Sequence, residues 1–259
     1  MTDLSESPQT SWQPHLGLTL YGRKPALEAL SDHSLAVHCV HLASSNRPGG
    51  IIAEITRLAE RRGITIRHHD KQALSRISKN ARQDQGVALD VLCPRFRRVE
   101  DLATSNVTQA RVLALDGITN PQNVGMIVRS AVAAGIDGLL YPKRSVAALG
   151  PLVIKASAGT VFKAPILQCA TLSEGLKVLA ENGFQILTLD ARGSLSLYDV
   201  EPAARAVFVL GGETEGISPA AKAMSNQQVR IPMSNNVESL NVAVTAALVA
   251  FQLTATTNR

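Results

Sequence analysis

Residues 206–218 read Ala-Val-Phe-Val-Leu-Gly-Gly-Glu-Thr-Glu-Gly-Ile-Ser, an unbroken apolar run from Ala206 to Leu210 that gives way to a glycine-bounded acidic loop and then to Ser218-Pro219. A short apolar run without alternation suits a strand buried on both faces, the strand of a parallel sheet covered by helices. Ser218 followed by Pro219 supplies a helix N-cap and the residue best suited to the first helical position. This order places Gly211, Gly212 and Glu213 at the carboxyl end of a strand, where open α/β sheets bind ligands. The loop looks like a phosphate cradle, yet no GxGxxG can be written through it, and a P-loop would need Lys where Ile217 stands. For this loop alone a plain turn remains open.

Neighbouring segments repeat the pattern. Val112–Leu115 is a short apolar strand ending at Asp116-Gly117. Val124–Ala134 is a helix closed by Gly135, Gly138–Tyr141 a strand, Leu172–Asn182 a helix and Phe184–Leu189 a strand. Past Ser218, a short helix to Met224, a strand at Val229–Ile231 and a long Ala/Val-rich helix at Ser239–Leu253 complete a predicted α/β sheet domain over residues 110–259. Residues 17–92 alternate more tightly: helix at Pro25–Leu30, strand at Val37–Leu42, helix at Ile51–Arg62, strand at Thr65–His68, helix at Ala73–Ser78, strand at Gly86–Leu92. They predict a separate small α/β domain. Residues 93–109, with Pro94, basic Arg95, Arg97 and Arg98, and polar Thr104, Ser105 and Asn106, show no sustained period and read as a linker. Residues 1–16 carry acids but no Lys or Arg, lack the parts of a secretory signal, and read as a disordered leader.

Composition narrows the function classes. With 259 residues, 45% hydrophobic, the chain can bury a proper core, so disorder, collagen and coiled coil are excluded. Leu240 to Leu253 is interrupted by Asn241, Thr245 and Gln252 and is shorter than the roughly 20 residues that cross a bilayer, so no membrane span is expected. Three widely separated cysteines, Cys39, Cys93 and Cys169, without CxxC spacing, point to a reducing, cytoplasmic compartment and to no zinc site. The net charge of +5 is uneven: residues 17–100 hold 14 Lys+Arg against 8 Asp+Glu, whereas residues 101–259 hold 12 against 11. A basic small domain favours a polyanion such as RNA through counterion release. Solvated helix faces bearing Arg61, Arg62, Arg76, Lys79 and Arg82 are the alternative. Only 3% of the chain is aromatic, poor material for stacking bases on rings.

Two further loops carry polar groups into helices. Asn120-Pro121-Gln122-Asn123-Val124-Gly125 leads to Arg129 on a face with Met126, Ile127, Val128, Ala131 and Val132. A guanidinium buried there would need an anion, either a ligand or a structural ion-pair partner. The other loop, Ile231 to Asn241, sets polar residues before an apolar helix that Ser239 could cap.

Taken together, Asn123-Val124-Gly125-Met126-Ile127-Val128-Arg129, Leu210 to Ser218, and Ile231-Pro232-Met233 with Ser239-Leu240-Asn241-Val242-Ala243 resemble, in order and spacing, the three motifs of the SpoU (TrmH) family of S-adenosylmethionine-dependent RNA ribose 2′-O-methyltransferases. Ser157-Ala158-Gly159 resembles a short family segment. Tyr21 to Leu30 and Gln85-Gly86-Val87-Ala88 resemble the ends of the family's small substrate-binding domain, itself similar to ribosomal protein L30e. Thr214 departs from the pattern, where relatives often have Gly.

The resemblance implies an L30e-like RNA-binding domain over residues 17–92, with Arg23, Lys24 and Arg82 as RNA contacts. It implies a SPOUT methyltransferase domain with a deep trefoil knot over residues 110–259, a homodimer, and an active site completed across the subunit interface. It also implies methylation of a ribose 2′-hydroxyl, in ribosomal RNA of the large subunit ahead of transfer RNA, without a metal. Catalytic roles fall on Arg129, Asn123, Glu213, Ser239 and Asn241, and cofactor contacts on Leu210, Gly211, Gly212, Ile231, Met233 and Leu240. A non-catalytic RNA-binding protein of the same fold and a nucleotide-binding α/β enzyme unrelated to RNA are the readings from other classes.

Overall fold

The structure, a computed structural model, describes residues 16–255. The expected leader therefore lies outside the described residues, save Leu16. The chain divides after Leu92 into two compact units.

In the small unit, β1 (Gly17–Tyr21), α1 (Arg23–Ser31), β2 (Ala36–Ala43), α2 (Gly50–Arg61), β3 (Thr65–His69), α3 (Lys71–Ser78) and β4 (Val87–Leu92) form a four-stranded sheet of order β1-β4-β2-β3 with three helices. Strand β4 runs antiparallel to β1 and β2, and β2 parallel to β3. Helix α2 forms because Ile52, Ile55 and Ala59, spaced at helical intervals, are all buried. Helix α3 starts at Asp70, whose side chain accepts from the Ala73 N–H at 2.7 Å. Arg62 does more than solvate a surface: its guanidinium donates to the carbonyls of Leu30 at 2.8 Å and Leu35 at 2.6 Å, fastening α2 to the end of α1. A polar row crosses this sheet. Thr19 Oγ1 donates to Asp90 Oδ1 (2.6 Å), while His41 pairs with Asp90 Oδ2 (2.9 Å) and with His69 Nε2 (2.9 Å).

The large unit begins at Cys93. It runs β5 (Arg97–Arg98), α4 (Val99–Ala103), β6 (Ala110–Asp116), α5 (Pro121–Ala134), β7 (Gly138–Pro142), α6 (Pro151–Ala156), a 3-10 turn (Thr160–Lys163), β8 (Ile166–Cys169), α7 (Leu172–Glu181), β9 (Gln185–Leu189), β10 (Leu195–Ser196), β11 (Arg205–Gly211), α8 (Pro219–Ala223), β12 (Gln227–Arg230) and α9 (Val242–Ala255). Its sheet is parallel throughout, in the order β10-β12-β9-β11-β6-β7-β8-β5. Every residue of β6 is buried, as the unalternating apolar run required.

The expected linker at residues 93–109 is corrected. Arg97 and Arg98 add β5 to the sheet edge by pairing with Leu167 and Gln168, and Phe96, Val99, Leu102 and Ala103 are buried in the large unit. A two-residue strand and a five-residue helix are too short to show a period, and the basic side chains masked them. The last helix also begins later than expected, at Val242. Asn241, not Ser239, caps it, its Oδ1 accepting from the Ala243 N–H at 2.9 Å.

Strands β6 and β11 are neighbours although distant in sequence, so the strand order changes direction between them. In an open parallel sheet the loops leaving such a pair diverge and leave a crevice at their carboxyl ends. Asp116 ends β6 and Gly211 ends β11.

Candidate active site

Asp116 holds the loop that leaves β11. Its carbonyl accepts from the Gly212 N–H at 2.8 Å and its carboxylate Oδ2 from the Ser218 N–H at 2.7 Å, so one residue fastens both ends of the loop. The glycines are required by close approach: a Cβ on Gly211 would lie 2.3 Å from the Gly216 carbonyl carbon, and one on Gly212 would lie 2.5 Å from the Gly117 oxygen. Ser218 caps α8 from the loop's far end, accepting from the Ala221 N–H.

The loop presents Glu213 to two amides. Glu213 Oε1 accepts from Asn123 Nδ2 at 2.9 Å and from Asn241 Nδ2 at 2.8 Å, and Asn241 Nδ2 also approaches Asn123 Oδ1 at 3.2 Å. Residues 118 positions apart are thus joined in one cluster. Asn123 comes from the first turn of α5, which Asn120 caps by accepting from the Gln122 N–H at 2.9 Å with Pro121 at the first helical position. Asn241 comes from the segment entering α9. Glu213 Oε2 takes no hydrogen bond among the described residues.

A cleft of about 450 Å³ opens beside this cluster, between the ends of β9, β11 and β12 and the segment before α9. All six expected cofactor residues, Leu210, Gly211, Gly212, Ile231, Met233 and Leu240, line it, and Glu213, Ser239 and Asn241 stand on the same lining. Its size is that of a small-molecule site, a few hundred Å³. The backbone groups of Met233 and Leu240 make no hydrogen bond among the described residues and are available to a ligand. A second concavity, of about 460 Å³, lies on the other side of the loop and is lined by Asp116, Thr119, Asn120, Asn123, Glu215 and others, sharing Gly212, Glu213, Gly216 and Val242 with the cleft.

Two lining residues escaped the sequence reading. Asp116 was visible only as a strand end. Asp190, just beyond β9, lines the cleft and pairs with Lys222 at 3.0 Å. The Arg192 N–H and then Lys222 hold its carboxyl below the usual carboxylate range. Its position at the carboxyl end of a strand was the signal that could have found it.

Arg129 is placed otherwise than expected. It is exposed, not buried on an apolar face, and makes no hydrogen bond or ion pair among the described residues. Six residues separate it from Asn123, about 9 Å along the helix and 240° around it, so the two side chains leave α5 on different faces. Arg129 shares its outward stripe with Gln122, Met126 and Ala133, all exposed. Ser239 lines the cleft but forms no hydrogen bond among the described residues. In the small unit, Arg23 and Arg82 line one concavity, whereas Lys24 is exposed away from its lining. No helix of the described residues is long and apolar enough to cross a membrane, and no group of metal-ligating side chains occurs among them.

A parallel α/β domain with a cleft at its strand-order change and an amide–carboxylate cluster on the rim defines an enzyme domain, here preceded by a small basic unit. Residues 110–251 match the model of the SpoU rRNA methylase family, and residues 19–97 match the model of the RNA 2′-O ribose methyltransferase substrate-binding domain. The chain belongs to the SpoU family and is an RNA methyltransferase. It is 32% identical to an uncharacterized tRNA/rRNA methyltransferase of Mycolicibacterium vanbaalenii over 90% of this chain and 74% of that one. It is 33% identical to the 23S rRNA (guanosine-2′-O-)-methyltransferase RlmB of Xanthomonas axonopodis pv. citri over 78% of this chain and 82% of that one. Its fold is shared by the SpoU methyltransferase AviRb of Streptomyces viridochromogenes, in complex with AdoMet, at a TM-score of 0.64 and 18% identity over 94% and 91% of the two chains. It is likewise shared by an AdoMet-bound rRNA methyltransferase of Sinorhizobium meliloti, at 0.60 and 20% over 92% and 86%.

Proposed function

We propose that this chain transfers a methyl group from S-adenosylmethionine to a ribose 2′-hydroxyl of ribosomal RNA, as a cytoplasmic homodimer that uses no metal. The observation that carries it is the coincidence of the Asn123–Glu213–Asn241 cluster with the edge of a cleft lined by all six expected cofactor residues. Leu210, Gly211, Gly212, Ile231, Met233 and Leu240 offer mainly backbone groups to the cofactor, which when bound supplies an electrophilic methyl on its sulfonium. Glu213, fixed through Oε1 by both amides, offers Oε2 to the ribose hydroxyl or to Arg129. Ser239 adds a hydroxyl on the same lining. The second concavity, across the loop, is where the acceptor nucleotide enters.

Arg129 is effectively always protonated, so its role is to bind the adjacent phosphate and stabilise the developing alkoxide. Its exposure supports a role across the subunit interface: it sits beside Met126 on α5, while α9, packed against α5, exposes Val244 and Phe251. A protein without a partner rarely leaves such side chains together on two packed helices. The trefoil knot belongs to the same reading, supported by the path of residues 231–241, which run from β12 near one sheet edge back to the central cluster before α9 begins. The buried cysteines Cys39, Cys93 and Cys169, which form no disulfide among the described residues, support a reducing compartment.

The reading of ribosomal RNA ahead of transfer RNA is supported by the Xanthomonas relative, and in it the small unit, with Arg23, Lys24 and Arg82, captures the RNA. The test is transfer of labelled methyl from S-adenosylmethionine to total RNA of a strain lacking the protein, followed by mapping of 2′-O-methyl sites. Label on a large-subunit ribose is expected. Label on transfer RNA would replace the substrate, label on a base would overturn the chemistry, and RNA binding without transfer would establish the non-catalytic alternative.

A further inference from the structure

Among the described residues, the cleft beside the amide–carboxylate cluster is lined by three carboxylates, Asp190, Glu213 and Glu238, and by no Lys, Arg or His. Asp190 is offset by Lys222 at 3.0 Å. The other two are not. Glu213 engages both amides through Oε1 and leaves Oε2 without a partner among the described residues, and Glu238 makes no hydrogen bond or ion pair among them. Cations nearby in the sequence stay off the lining: Arg192 is exposed, and Arg230 Nη1 donates to the Gly193 carbonyl at 3.0 Å. Across the loop, the second concavity adds Asp116 and Glu215 and again no cation, so the shared wall brings no compensating charge.

Glu238 follows a tight reversal of the chain. Asn235 (φ 56°) and Asn236 (φ 58°) both lie in the left-handed region, which Asn tolerates better than most residues, and the Val237 N–H donates to the Ser234 carbonyl at 3.2 Å. Three residues on, Asn241 bonds to Glu213 at 2.8 Å, so one short segment carries both Glu238 and a member of the cluster. A cleft of about 450 Å³ has a mean breadth near the Debye length of about 8 Å at physiological salt, so a charge inside it feels the carboxylates on its lining. One such charge pair, about 7 Å apart in a medium between water and protein, changes affinity about fivefold to tenfold.

On the methyl-transfer reading, the two ligands of the cleft differ in charge. S-adenosylmethionine carries a sulfonium and an α-ammonium against one carboxylate. Transfer breaks the methyl carbon–sulfur bond and leaves its electron pair on sulfur, while the acceptor oxygen gains the methyl and gives up its proton. S-adenosylhomocysteine is therefore neutral overall. Ammonium and carboxylate are common to both ligands, and only the sulfonium charge separates them. We infer that Glu238, with the unclaimed oxygen of Glu213, makes the cleft select the cationic methyl donor over its neutral product. Glu238 is then a specificity-determining residue that takes no part in the transfer itself. The hold of the cleft weakens as the sulfonium charge disappears, which favours exchange of product for fresh donor. This rests on the methyl-transfer reading and adds a charged side chain to cofactor residues that offer mainly backbone groups.

The test is Glu238→Gln, which removes the charge and keeps the shape. Three ligands are titrated calorimetrically into the full chain at low and at physiological salt, with thermal melting in parallel: S-adenosylmethionine, S-adenosylhomocysteine and sinefungin, in which a protonated amine replaces the methylated sulfonium. The variant is expected to lose about fivefold to tenfold in affinity for the two cationic ligands and less than about twofold for S-adenosylhomocysteine. Glu238→Asp, which keeps the charge, should hold the ratio of the two natural ligands within about threefold of the wild type. Added salt should weaken S-adenosylmethionine more than S-adenosylhomocysteine in the wild type, and the gap should narrow in Glu238→Gln. The inference is overturned by equal losses on all three ligands, which would make Glu238 a contact of the shared ammonium. A loss on S-adenosylmethionine that sinefungin does not share, or no loss at all, overturns it too. A wild-type chain that binds none of the three sinks the cofactor reading as well, whereas binding with an unchanged ratio in the variant sinks the charge selection alone.

Discussion

Asn123 is buried, and its side chain spends its donor on Glu213 and offers its oxygen to Asn241. Replacing it tests the cluster without touching the cleft lining. Asn123→Asp would set a second carboxylate where an amide donated at 2.9 Å, turning attraction into like-charge repulsion. Turnover is expected to fall by about 100-fold or more, a typical loss for one preorganised polar group. S-adenosylhomocysteine affinity, measured calorimetrically, should change by less than about threefold, since Asn123 does not line that cleft. Gly212→Ala is the reverse case: its Cβ would meet the Gly117 oxygen, so the loop must shift, and a destabilisation of about 1–3 kcal/mol should accompany loss of cofactor binding. At this scale the structure brings Asn123, Glu213 and Asn241, each named from a different motif, into one hydrogen-bonded cluster. The exposure of Arg129 was not legible, because helical periodicity groups residues by face but does not say which face a neighbouring element covers.

Among the elements, the small sheet carries an ionisable row whose effect on stability has a definite sign. Burial alone would lower the His41 pKa, but the hydrogen bond to Asp90, aided by Cys39, outweighs it and lifts the value from 6.5 to about 9. As an imidazolium, His41 donates from Nε2 to Asp90 and from Nδ1 to His69, whose own pKa is lowered by burial and then by the His41 charge. A pKa raised in the folded state stabilises the fold fully below the unfolded value and loses that contribution as the pH rises through the folded one. The melting temperature should therefore fall between about pH 7 and pH 10, and His41→Gln should flatten that limb of the profile. An unchanged profile in the variant would remove His41 from the account. The same scale explains the segment at residues 93–109. Strand β5 exists because its edge partner is β8, whose residues lie 70 positions further on, a pairing no local window contains. Longer elements such as α2, α5 and α7 carried their own periodicity and end caps, and the sequence placed each to within a few residues.

For the whole molecule, the exposed apolar side chains of α5 and α9 and the outward Arg129 make one prediction about assembly. Val244→Glu/Phe251→Lys should yield a monomer in light-scattering chromatography, folded but inactive. If Arg129 serves its partner's cleft, Arg129→Ala and Glu213→Ala chains, each inactive alone, should regain activity on mixing, because a mixed dimer concentrates both defects in one of its two sites. Failure to regain activity, with exchange of chains demonstrated, would return Arg129 to its own subunit. Arg129→Lys is expected to lose most turnover, since an ammonium cannot reproduce the planar fork of a guanidinium.

The loop that Asp116 fastens at both ends separates two hollows that share Gly212, Glu213, Gly216 and Val242. A common partition cannot move for one chamber alone. On the proposed reading, in which one hollow takes the methyl donor and the other the acceptor, filling the first biases the shape offered to the second, and thermodynamic linkage makes the influence mutual. Whatever factor S-adenosylhomocysteine applies to RNA affinity, RNA must apply to S-adenosylhomocysteine, and Asp116→Asn should shrink that shared factor toward one by loosening the wall on which both ligands lean.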